Sequence, residues 1–159
     1  MIFYIEIGVG FDATLSKQES KLFNIHQNVI ALLYGKFLAP GLYSLDKIRL
    51  ELSDALEEGI INAPDKYNPF VVIDRPFDFQ DYFSLNQYER RKYIAKTLHQ
   101  ALEQMCTELG YSPQPFRQAY EKVKELGYEN ACTHGKLKAA PDHRHKAAVH
   151  IRVEEEYAE

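Results

Sequence analysis

The sequence predicts a single α+β domain over residues 1–159: a small, mostly antiparallel sheet, a packed helical hairpin and one or two further helices. Three observations carry that prediction. The hydrophobic spacing switches between a period of two and a period near 3.6 along the chain. Two helix-like stretches follow one another across the tight Gly110-Tyr111-Ser112 connection, as in a helical hairpin. The 159 residues, 45% hydrophobic and 26% charged, match one domain able to bury about 70% of its unfolded surface.

The elements follow in chain order. Phe3, Ile5, Ile7 and Val9 alternate with Tyr4 and Glu6, which predicts a half-buried strand loosened at its end by Gly8 and Gly10. Leu22, Ile25, Val29, Ile30 and Leu33 recur at helical spacing, predicting a helix over 18–34 that stops near Gly35. Residues 44–58 are ambiguous. Ile48, Leu50 and Leu52 alternate like a strand, while Ser44 as N-cap and Gly59 as stop frame a helix, which residue propensity favours. Asn62 to Asp65 is turn-rich, and Phe70 to Ile73 is a β-branched run between prolines that predicts a buried strand.

Ser84 and Gln87 have the spacing of a capping box, with Phe83 stapled against Tyr88, so a long helix is expected from Ser84 to a stop at Gly110. Its stripe is Ile94, Leu98, Ala101, Leu102, Met105 and Leu109. Ser112-Pro113 opens a second helix striped by Phe116, Ala119, Tyr120, Val123 and Leu126 and closed by Gly127. Beyond it, 130–140 and 145–154 read as a hairpin at a sheet edge around Pro141-Asp142.

Composition narrows the function classes. Nineteen basic and 23 acidic side chains give a net charge of −4. Lys136, Lys138, Arg144, Lys146 and Arg152 make the 134–152 stretch locally basic, leaving the remainder more acidic than the net charge suggests, half of it through Glu154, Glu155, Glu156 and Glu159. An acidic surface repels polyphosphate, so no nucleic-acid partner is expected. No stretch is long and apolar enough to span a membrane, and the N-terminus lacks the pattern of a signal peptide. Two cysteines, Cys106 and Cys132, suit a reducing compartment, and a cytoplasmic location is the expectation.

Motifs for common chemistries are missing. Gly8-Val-Gly10 lacks the third glycine of a dinucleotide fingerprint, and there is no Walker A loop, nucleophile elbow or fixed zinc-ligand spacing. No cofactor is expected. Four of the six histidines, His134, His143, His145 and His150, lie within 17 residues, with Cys132 beside them. His143-x-His145 puts two imidazoles on one strand face and makes them weak metal candidates, though a solvated basic hairpin tip explains them as well. The same cluster, with Lys146 or Arg144 on phosphate, is the material of a metal-dependent or phosphodiesterase-like enzyme. Cys106 falls on the apolar stripe and reads as a small core residue, and His26 and His99 as boundary residues held by local partners.

The most distinctive stretch runs from Asp74 to Phe83, with three aspartates among four aromatics. Phe77, Phe79, Tyr82 and Phe83 are suited to anchor the following helix, and acids near a helix start are favourable on macrodipole grounds alone. The same aspartates suit a basic partner. In its whole texture, acidic, aromatic-rich and without a catalytic motif, the chain resembles the small cytoplasmic immunity proteins of bacterial secreted-toxin systems. That resemblance implies a protein-binding inhibitor, not an enzyme, that covers a toxin domain. The expected contact residues are Asp78 and Asp81, with Tyr67 as an aromatic anchor.

Overall fold

The computed structural model describes residues 3–139 and 146–153. Its architecture is α+β, with helices laid over one face of a four-stranded sheet. The strands are β1 (Tyr4–Val9), β2 (Lys47–Ser53), β3 (Ile60–Asn62) and β4 (Phe70–Pro76), in the spatial order β1-β2-β4-β3. The helices are α1 (Lys17–Gly35), the short α2 (Phe79–Ser84), α3 (Gln87–Leu109) and α4 (Gln114–Glu125).

The expectation of a mostly antiparallel sheet is corrected. β1, β2 and β4 run parallel, and only β3 is antiparallel, to β4. Parallel neighbours need a crossover that returns the chain to the same end of the sheet. α1 supplies the first. The second runs through the loop 54–59 and β3, and β4 then inserts between β2 and β3. Nothing in a strand's own residues distinguishes these connections from hairpins.

The ambiguous segment also resolves against propensity. Residues 47–53 are a strand, with Ile48, Leu50 and Leu52 fully buried in the middle of the sheet. Partners on both sides and a covered inner face outweigh the few tenths of a kcal/mol per residue by which isolated residues prefer a helix. The short strand Ile60–Asn62 was not expected and runs up to the predicted turn at Asn62 to Asp65.

The helix start placed at Ser84 moves two residues. Ser84 closes α2, its hydroxyl donating to the Asp81 carbonyl at 2.6 Å. Asn86 caps α3, its side chain accepting from the Glu89 N–H at 2.9 Å. Gly110 stops α3 in the left-handed conformation, as expected, and the Tyr111 N–H returns to the Cys106 carbonyl at 3.0 Å. α1 begins with a full capping box, Ser16 with Glu19, one turn earlier than the apolar spacing alone suggests.

The core lies between the helices and the inner sheet face. Ile5 and Ile7, Ile48 to Leu52 in alternation, and Val71 and Ile73 meet Phe23, Ile30, Leu33, Ile94, Leu98 and Met105. The opposite sheet face carries charges in pairs: Lys47 Nζ lies 3.3 Å from Glu6, and Arg49 Nε lies 2.9 Å from Glu51. The expected terminal hairpin is present as β5 (Asn130–Ala139) and β6 (Lys146–Val153), antiparallel with a register shift between His134 and Lys138. Instead of extending an edge, it forms a two-stranded sheet of its own.

Candidate functional site

In a parallel sheet the loops leaving the C-terminal strand ends converge on one rim, the usual place for a site in α/β architecture. Here three loops do so: 10–16 after β1, 54–59 after β2, and 77–78 after β4, continuing into α2. Together with α2 they carry Asp12, Asp54, Glu57, Glu58, Asp78 and Asp81, and no lysine or arginine. Loop 54–59 must pass across the end of β4 to reach β3, which brings Asp54 over Pro76 and Phe77.

Part of this acidity has a local explanation. Asp78 is the N-cap of α2, its side chain accepting from the Asp81 N–H at 2.9 Å, and Asp81 lies in the first turn. Both carboxylates favour that helix start, as the macrodipole argument expects. Asp54 has a different task. It accepts from the Thr14 N–H at 2.9 Å and from the Thr14 hydroxyl, tying the β1 and β2 loops together. Those hydrogen bonds hold its carboxyl below the ordinary aspartate value. Asp12, Glu57 and Glu58 stand exposed.

Beneath the rim lies an aromatic junction. The Phe23 ring packs edge-on against Phe79 at 5.2 Å and Tyr82 at 5.1 Å, and Phe77 lies 4.9 Å from both Phe79 and Tyr93. Phe77, Phe79 and Tyr82 are buried and Phe83 is half-buried, so the aromatics of this stretch anchor it as expected. Two clefts open above them on either side of Asp54. One, of about 380 Å³, is lined by Asp54, Leu56, Pro76, Phe77, Asp78 and Tyr93. The other, of about 370 Å³, is lined by Thr14, Leu15, Glu19, Asp54, Phe79, Gln80 and Phe83. A larger recess of about 990 Å³ has its described lining on α1 alone, from Lys17 to Asn28.

Asp78 and Asp81 therefore sit together on the rim. Tyr67 does not join them. It stands in the turn before β4, 77% exposed, with Lys66 Nζ 4.6 Å from its ring centre. β4 separates it from Asp78, and its seven residues at about 3.3 Å each put the two some 20 Å apart. The rim has its own aromatic, Phe11, fully exposed between Gly10 and Asp12. A bulky apolar residue inside a glycine-flanked turn was the signal for it, and only the turn's placement beside Asp54 gives it meaning.

The remaining candidates divide clearly. His143 and His145 lie outside the described residues. Among the described residues no group of three or more His, Cys, Asp or Glu side chains could hold a metal ion. His26 and His99 are both partnered, but His26 is buried and not at a boundary, and apart from Glu103 the described partners are distant in sequence. The Tyr82 hydroxyl lies 2.8 Å from His26 Nδ1, and burial, helped by Arg90 and Arg91, pushes that imidazole down to about 4. His99 stacks on Tyr120 at 4.2 Å, with Nδ1 3.1 Å from the Tyr34 hydroxyl and Nε2 3.3 Å from Glu103. Tyr34 donates to the Phe116 carbonyl at 2.7 Å, and Arg117 pairs with Glu103 through two nitrogens, at 2.6 and 2.9 Å. This chain of contacts ties α1, α3 and α4 together and opens on none of the clefts above. Cys106 is buried, and burial pushes its thiol up to about 11, which suits a core residue and not a nucleophile.

Comparison with known protein families, with curated proteins and with solved structures found no match. The class is accordingly defined by the architecture: a two-layer α+β domain with an acidic, aromatic-floored rim. No helix among the described residues is long and apolar enough to cross a membrane.

Proposed function

We propose that this chain is a protein-binding inhibitor of the immunity type, working in the cytoplasm by covering a basic toxin domain with its acidic rim. One observation supports the reading above the others: six carboxylates and no cation on the converging loops and α2, with the fully exposed Phe11 among them. A buried aromatic within a complementary charged surround is the usual composition of a binding hot spot. Complementary charge also speeds the encounter and rejects wrong partners. Asp78 and Asp81 are contact residues in this reading, and the negative charge of the rim disfavours nucleic acid as its partner. Tyr67 contributes only if the partner spans the sheet from end to end.

The test takes any basic toxin domain found encoded beside the gene for this chain, with binding measured by calorimetry and protection by growth on co-expression. Asp78→Ala and Asp81→Ala each weaken binding, where a paired interfacial carboxylate is worth roughly 2–5 kcal/mol. Phe11→Ala weakens it by at least about 2 kcal/mol. Thermal unfolding of the same variants separates loss of the α2 cap from loss of contact. Unchanged affinity in all three, while reversing Arg144 or Lys146 weakens it, moves the interface to the terminal hairpin and overturns the assignment.

A further inference from the structure

We propose that the turn from Leu42 to Leu45, between α1 and β2, is a strap with two positions, held shut in this structure by the Tyr43 ring stacked on Tyr111. The turn is of a kind that its own residues do not favour. Its two central residues, Tyr43 and Ser44, have φ of 54° and 58°, and the Leu45 N–H donates to the Leu42 carbonyl at 3.1 Å. Positive φ at both central positions defines the type I′ turn, which asparagine and glycine normally occupy. Tyrosine and serine there crowd Cβ against the backbone, and Gly41 just before them is left-handed as well, at 69°. Left-handed residues other than glycine persist where the surroundings impose them, and such places concentrate in clamps and switches.

What imposes the turn lies far along the chain, at the corner between α3 and α4. The Tyr43 and Tyr111 rings are parallel within 2°, with centres 4.4 Å apart. The Tyr43 hydroxyl donates to the carbonyl of Ser112, 69 residues on. The fully buried Phe116 ring lies 6.2 Å from Tyr43. The latch is thus one ring stack and one hydrogen bond, each of the same order as the strain of one left-handed side chain. Closing therefore gains little over opening, which is the condition for two positions that exchange without unfolding the rest. The strap can swing without pulling β2 away. Behind it Leu45 is buried, and the Asp46 N–H donates to the Pro69 carbonyl at 2.8 Å. Opening uncovers the faces of Tyr111 and Phe116 at the N-terminal end of the parallel strands, away from the acidic rim.

The experiment records relaxation dispersion and amide hydrogen exchange by NMR on the intact chain. Dispersion is expected at Leu42, Tyr43, Ser44, Leu45 and Tyr111, and not along the middle of α3. The Leu45 amide is expected to exchange with solvent at least about a hundredfold faster than the amides of Leu98 and Leu102, at a rate that low urea leaves unchanged. Tyr111→Ala removes the latch from its far side and keeps the turn's own sequence. It is expected to speed Leu45 exchange about tenfold relative to Leu98 and Leu102. Ser44→Gly relieves one strained position and is expected to slow Leu45 exchange about fivefold. Where Tyr111→Ala unfolds the whole chain, Tyr43→Phe, which removes only the hydroxyl, carries the same test with a smaller acceleration. Flat dispersion at the strap, Leu45 exchange that follows α3 into global unfolding, or exchange unchanged when the latch is removed overturns the proposal.

Discussion

The two ends of β4 are built on different principles. At its C-terminal end the chain turns over a buried aromatic junction, and the acids above it are fixed by hydrogen bonds to Thr14 and to the start of α2. At its N-terminal end Tyr67 lies on the surface in a turn braced by the Asp65 side chain, which accepts from the Tyr67 and Asn68 N–H groups at 2.8 and 2.9 Å. The first end is a rigid platform and the second a solvated turn. Both display a carboxylate and an aromatic residue in sequence. Only the first places them over packed side chains, which hold a binding group in one geometry.

The largest expected effect breaks the platform itself. Phe79→Ala removes a buried ring that touches Phe23 and Phe77, and should cost about 3–5 kcal/mol in urea unfolding. Tyr67→Ala at the other end should stay within about 0.5 kcal/mol, as exposed substitutions do. Comparable losses at both ends would erase the distinction drawn between them.

Next in size is the Tyr82–His26 contact that fastens α2 to α1. Tyr82→Phe leaves the ring packing and removes the hydroxyl 2.8 Å from His26 Nδ1, at a cost of about 1–3 kcal/mol for the loss of one contact between buried polar groups. The same histidine gives the platform a pH dependence. Its folded pKa is lowered to about 4, by burial first and then by Arg90 and Arg91. The unfolded chain therefore binds the proton first as the pH falls. Stability from this group is complete above the ordinary histidine value of about 6.5 and is lost progressively towards pH 4. Urea midpoints at pH 7.5 and pH 5 should show the fall, and His26→Phe should reduce it. His99 is shifted in the same direction, chiefly by burial, and adds to the slope.

A smaller effect locates the start of α3. Asn86→Ala should cost about 0.5–2 kcal/mol through the lost cap to Glu89. Ser84→Ala, which removes only a hydroxyl bond to the Asp81 carbonyl at an exposed helix end, should cost less. The reverse ranking would restore the capping box at Ser84. Smallest in energy, yet sharp as a probe, is Cys106. In a Cys132→Ser background its thiol, buried and raised to about 11, should react with a disulfide reagent only after unfolding. Rapid labelling of the native protein would mean that α3 presents the other face.

Much of this was written in local residue patterns. The alternation of Ile5 and Ile7, the stripe from Ile94 to Met105, and the stops at Gly110 and Gly127 all require only the geometry of one element. The aromatics from Phe77 to Phe83 were legible as anchors for the same reason: large rings beside a buried strand have nowhere else to go. Less of the candidate site was legible. Asp78 and Asp81 stood out as acids near a helix start, but Asp54 and Phe11 did not, because each gains its meaning from a neighbour 40 or more residues distant in the chain.

What the sequence by itself determined, then, is the kind and face of most elements, the two glycine stops and the α+β class. The tertiary structure alone decided the strand identity of residues 47–53, the parallel order β1-β2-β4, and the meeting of Asp12, Asp54 and Asp78 on one rim while Tyr67 went to the far end. The physical reason is the range of the forces involved. Periodicity and capping are satisfied within a few residues. Strand pairing is set by crossovers, and the burial of Ile48, Leu50 and Leu52 is set by what α1 and α3 lay over them.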